Sequence, residues 1–101
     1  MTSEINPEAE VELQEATDWY AGQSVSAGGR FVAEVEAAFA EIMRNPLRFA
    51  PAGTGVRVSR LKRFPYKLYF EFDVARQHIR LLCITHHKRR PDYWRGRVSG
   101  H

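Results

Sequence analysis

Hydrophobic and polar positions along this chain follow a helical period up to Pro46 and a strand period after it. In the first part, Ala9, Leu13, Ala16 and Tyr20 fall on one stripe at helical spacing, and Trp19 widens it. Asn6 is a capping residue, Pro7 suits the first helical position, and Glu8 and Glu10 sit where the helix dipole favours acids. The pattern predicts a helix from Pro7 to Ala21 or Gly22. Gln23 to Gly29, rich in Ser and Gly, reads as a linker. A second helix is expected from Ala27 or Arg30 to Asn45, with Phe31, Val35, Phe39 (or Ala38) and Ile42 as its stripe. Asn45-Pro46 stops it.

Leu47 to Gly55 holds Pro51, Gly53 and Gly55 and reads as a loop. Strands are expected at Val56–Lys62, Lys67–Val74 and Ile79–His86, joined by turns at Arg63–Tyr66 and Ala75–His78. The second alternates, with Leu68, Phe70 and Phe72 opposite Tyr69, Glu71 and Asp73. The third is apolar on both faces, which places it at the centre of the sheet. Thr2 to Ile5 has room only for a short edge strand. The order predicts an α+β fold: a helical hairpin on one face of a small, mainly antiparallel sheet, the other face partly open, with a short C-terminal extension. Residues 1–101 are expected to form one domain.

Charge changes this picture. Residues 1–45 hold nine acids against two arginines, and residues 46–101 hold thirteen Lys and Arg against three acids. Such a division predicts a basic surface for an anionic partner, nucleic acid or acidic protein, or else an ordinary solvated face. Met1-Thr2-Ser3-Glu4 has neither the basic nor the apolar region of a secretory leader, and no apolar run reaches membrane-spanning length. A cytoplasmic chain without membrane contact is therefore expected. The single cysteine, Cys83, lies in the apolar run and reads as a small buried hydrophobe.

Candidate chemistry gathers after the third strand. His86 could serve as acid or base, Arg57, Arg60 and Arg89 as phosphate clamps, and Tyr93 as a base-stacking ring or proton donor. With Lys62, Arg90, Trp94 and Arg97 they make up the expected target- or nucleic-acid-binding set. Each has a plainer reading. His86 caps the strand end, Arg89 and Arg90 solvate the edge or pair with Asp92, Trp94 folds back on the core, and Arg97 stacks on Trp94. His86 and His87 point to opposite faces, as do Cys83 and His86, so no metal is expected; nor is a cofactor, since no Gly-rich phosphate loop is present.

Four segments together resemble the RelE/ParE superfamily of toxins from type II toxin–antitoxin systems, and most of all its ParE-type, plasmid-stabilisation branch. They are Glu12-Leu13 through Trp19-Tyr20; Phe31 through Ile42 to Asn45-Pro46; Arg57, Leu61, Phe64-Pro65-Tyr66 and Tyr69; and His86, Arg89-Arg90-Pro91-Asp92-Tyr93-Trp94 and Arg97. The resemblance implies a toxin wrapped by the extended tail of a cognate antitoxin. It implies one of two targets, DNA gyrase or the ribosome and its messenger RNA. A nuclease would use Arg60, His86, Arg89 and Tyr93, but the chain lacks a clear match to the nuclease set, which favours gyrase inhibition, a role that need not be enzymatic. A non-toxic basic nucleic-acid-binding module is the reading from another class.

Overall fold

In the computed structural model, which describes residues 1–90 and 92–99, the first helix begins where its cap predicts. The Asn6 side chain accepts the Glu8 N–H at 2.8 Å, and α1 runs Pro7–Gln23. The second helix, α2, spans Val25–Arg44 and starts earlier than expected: Ser24 alone separates the helices, its hydroxyl accepting the Ala27 N–H. The Ser/Gly stretch is therefore not a linker but the first turns of α2. Its small residues serve packing, since a Cβ on Gly28 would lie 3.0 Å from the Ala21 Cβ. Glycine lets the two helices approach closely at their junction. Phe31, Val35 and Ile42 are buried as expected. Trp19 is not part of that core: it is 60% exposed and touches Tyr20 by its edge.

Five strands form one open sheet in the order β1-β5-β4-β3-β2, comprising β1 (Thr2–Ile5), β2 (Ala50–Gly53), β3 (Val56–Arg60), β4 (Tyr66–Asp73) and β5 (His78–His86). The expected edge strand exists and pairs parallel to β5; β2 to β5 form an antiparallel meander. Two expectations are corrected. The supposed loop contains a short 3-10 turn, Pro46–Arg48, and β2, whose Pro51 is tolerated because the strand lies at the edge. The middle strand is β4 rather than β5, because β1 adds only one strand beyond β5.

The β4–β5 register shifts once. Tyr69 faces Cys83 while Phe70 faces Leu81, so Leu82 is an extra residue, a bulge. Leu81 and Ile84 pack with the helices, whereas Leu82 and Cys83 both join the opposite face. Beyond the bulge the pleat is inverted, and His86, paired with Tyr66, comes to the helix side. Two apolar layers result: the hairpin against one face, and Val56, Tyr69, Leu82, Cys83 and Trp94 on the other. The expected open face is thus partly covered by the chain after β5, which folds back through a short 3-10 turn at Arg95–Arg97.

The sheet is staggered as well. β1 stops pairing at Ile5–Leu81 and β2 at Ala50–Val58. At the opposite end of the sheet, β5 and β3 are therefore edges, each facing one helix of the hairpin.

Candidate cationic interface at the end of the sheet

The C-terminal end of β3, the β3–β4 turn and the C-terminal end of β5 meet at this staggered end. Arg60, Lys62, Arg63, His87, Lys88, Arg89 and Arg90 are all exposed there. Six of the thirteen Lys and Arg of residues 46–101 are thereby gathered at one end of the sheet. Acids from the helices are already engaged: Glu34 accepts the backbone N–H groups of Lys62 and Arg63, and Glu41 pairs with Arg44 and Arg48. They order this end without cancelling the side chains that face solvent.

The expected site residues do not form one constellation. Arg57 lies on the helix side and is half-buried, donating to the Phe49 carbonyl at 2.7 Å, a structural role for that group. Arg60 is exposed on the opposite face, in register with Lys67. His86 is on the helix side; its Nδ1 accepts the Lys88 N–H at 3.1 Å, and its ring meets Tyr66 edge-on. That bond places the proton of the neutral imidazole on Nε2. Burial holds the Tyr66 phenol above its ordinary range, with Arg89 opposing, so it stays protonated at neutral pH. The guanidinium groups of Arg89 and Arg97 stand 4.7 and 4.9 Å from the Tyr93 ring centre. A base stacking on Tyr93 would have to compete with its own cations. Arg90 pairs with Asp92, which Arg95 also approaches. Pro91 lies outside the described residues.

Two of the expected contact residues are internal. Trp94 is 4% exposed, tilted over Tyr69 and seated on Gly53, where a Cβ would lie 2.4 Å from the indole. Arg97 is corrected from a stacking partner of Trp94, since Arg95 takes that position. Its guanidinium instead forms a bidentate pair with Glu12 at 3.0 and 2.9 Å and donates to the Leu82 carbonyl. Glu12 also accepts the Ile84 N–H. This pair closes the edge of β5 that β1 leaves uncovered. Burial works against the charge on Arg97, but the hydrogen bonds and charge of Glu12 outweigh it, and the proton is held more tightly than usual.

Sequence reasoning missed Lys67, a lysine at 6% exposure in the middle strand. Its place in an alternating apolar strand was the available signal, because Lys67 shares the face of Tyr69. Also missed was a groove of about 700 Å³ between α2 and the uncovered edge of β3. Ala37, Ala38, Phe49, Val58 and Leu61 give it an apolar floor, and Arg60 and Lys62 bring positive charge to it beside Glu34 and beside Glu41, which pairs with Arg44 and Arg48. A second groove, of about 490 Å³, lies between α1 and β5 beside Trp19, Tyr66 and His86.

Cys83 takes no part in this surface. Burial, with Glu12 adding to it, pushes its thiol up to about 12, against an ordinary 9.0. We expect no reaction with a thiol reagent at pH 8 until the protein unfolds, measured by comparing labelling in buffer and in urea. The same shift has a sign. The unfolded thiol loses its proton first, so this contribution to stability is full below about 9 and is lost as pH rises through about 12.

Among the described residues no three His, Cys, Asp or Glu side chains gather into a metal-binding group, and no helix is long and apolar enough to cross a membrane. No curated protein matches the chain. A protein-family model described as ParE toxin of type II toxin-antitoxin system, parDE, matches residues 4–91, which include both helices, β2 to β5 and the end of β1. That coverage, with the hairpin-on-sheet architecture, places this chain in the ParE toxin family of type II toxin–antitoxin systems, a membership that implies a cognate antitoxin.

Proposed function

We propose that the free protein arrests growth by inhibiting DNA gyrase in the cytoplasm, and that its antitoxin neutralises it by laying an amphipathic segment into the α2–β3 groove. The observation that carries the target reading is the separation of the groups a nuclease would need. His86 is on the helix side of the sheet, Arg60 is on the other face, and the Tyr93 ring is covered by Arg89 and Arg97. A general acid or base acts only within hydrogen-bond reach of the group it protonates, and these residues do not converge on one phosphate. A cationic edge without that convergence suits recognition of a protein–DNA complex better than cleavage. The groove supports the antitoxin reading through its alanine-rich floor and the exposed Arg60 and Lys62 on its rim, complementary to a helix with one apolar and one acidic face.

Tightly repressed expression in a bacterial host tests the target. Filamentation and DNA-damage signalling within minutes, with translation intact, is the expected result, accompanied by inhibited supercoiling in vitro. Rapid translation arrest with cleaved messages would replace gyrase with ribosome-dependent RNA cleavage. Unimpaired growth with folded protein would leave a binding module without toxicity. For the antitoxin, Ala38→Glu on the groove floor is expected to weaken binding by about tenfold or more, measured by calorimetry, by burying an unpaired charge.

A further inference from the structure

Arg60, Lys67 and Thr85 stand in register across β3, β4 and β5 on the face away from the helices. Neighbours in such a row are about 5 Å apart. Lys67 is 6% and Thr85 4% exposed. Among the described residues, the Thr85 hydroxyl is buried without a hydrogen-bond partner, and the Lys67 ammonium lies 5.5 Å from the Tyr69 ring centre. Burying a hydroxyl without an acceptor is unfavourable, and so is drawing most of a lysine side chain out of water. Nothing in the packing of the sheet requires it, since apolar residues of similar size would fill the same space. The row is complete only when something supplies negative charge and acceptor oxygens.

We propose that Arg60, Lys67 and Thr85 form a phosphate-binding site that takes a backbone phosphodiester of a nucleic-acid strand. Two cations and a hydroxyl exceed what one planar carboxylate satisfies, whereas a phosphate presents oxygens in several directions. Around the row, Lys62, Arg63, Lys88, Arg89 and Arg90 extend the positive surface, and nearby Asp92 is already paired with Arg90. A single small anion would engage the row alone; a strand of successive phosphates engages its flanks as well. The site does not depend on which cellular target the toxin has.

The test uses the full chain at low salt: thermal unfolding and binding with inorganic phosphate, and with a short single-stranded oligonucleotide. Wild type should be stabilised by both and bind the oligonucleotide more tightly. Lys67→Met should lose the phosphate-dependent increment and bind the oligonucleotide about tenfold more weakly. In phosphate-free buffer it should be no less stable than wild type, because a partly desolvated ammonium gives way to an apolar chain of similar size. Thr85→Val, which keeps the shape of the side chain, should act in the same direction and carries the test if Lys67→Met does not fold. Arg76→Gln removes an exposed charge from the β4–β5 turn, at the far end of the sheet, and should bind as wild type does. Equal phosphate increments in wild type and Lys67→Met, or equal losses in Lys67→Met and Arg76→Gln, would overturn the site. Binding of phosphate but not of the oligonucleotide would overturn the strand as its source. An acidic peptide binding as tightly as the oligonucleotide, and lost in Lys67→Met, would assign the row to a protein carboxylate instead.

Discussion

Glu12→Ala is expected to destabilise the fold by about 3–5 kcal/mol, the cost of breaking a buried ion pair from one side, with only the exposed Glu8 carboxylate, 3.4 Å away, left to Arg97. The Arg97 side chain is 8% and that of Glu12 15% exposed, so water cannot readily replace the lost carboxylate. More than the pair is at stake. Glu12 accepts the Ile84 N–H and holds the guanidinium that reaches the Leu82 carbonyl, so β5 would lose its edge closure as well. The expected drop in thermal midpoint exceeds about 10 °C for a domain of this size. Glu12→Gln, which keeps the shape and one acceptor, should lose less. The paired change Glu12→Leu with Arg97→Met should recover much of the loss, since it removes both charges together. A Glu12→Ala midpoint in urea within about 1 kcal/mol of wild type would show that the pair is no more than a solvated contact.

Trp94→Ala is expected to cost about 3–5 kcal/mol, for a different reason. Among the described residues its indole N–H has no partner, so truncation costs no hydrogen bond there. The loss is packing: Tyr69 would be uncovered, and the face it shares with Val56, Leu82 and Cys83 would open to water. Trp94→Phe should retain most of the stability. Gly53→Ala approaches the same contact from the other side, placing a methyl where the indole now lies. It should cost about 1–3 kcal/mol by overpacking and shift Trp94 emission to the red, read in a Trp19→Phe background. Unchanged emission and stability in Gly53→Ala would mean that the indole is not held against β2.

Both results bear on how toxicity should be dissected. Substitutions at Trp94 and Arg97 report folding before they report recognition of a target. Arg60, Lys62, Arg89 and Arg90 are exposed and are the positions where a loss of toxicity can be read as a loss of contact.

Periodicity alone was enough for two amphipathic helices and three consecutive strands, because a helix stripe and a strand alternation each depend on local spacing. The Asn6-Pro7 start and the Asn45-Pro46 stop were equally legible, since capping and the missing proline N–H act within a few residues. The charge division was legible as well, and it became one cationic end. Other features depended on what packs against them. Gly28 looks like a loop residue until Ala21 is seen against it. Ala50–Gly53 is a strand only because β3 offers it a partner. The continuous run Leu81-Leu82-Cys83-Ile84 reads the same in either register, so the bulge at Leu82 that turns His86 toward the helices leaves no mark in the sequence. Arg97 and Glu12 are 85 positions apart, and only the return of the chain over the sheet joins them. The sequence by itself determined which elements form and where the charge lies, both set by neighbours along the chain. The tertiary structure decided which cations are spent inside the fold and which stay on its surface, because burial and pairing are set by residues distant in sequence.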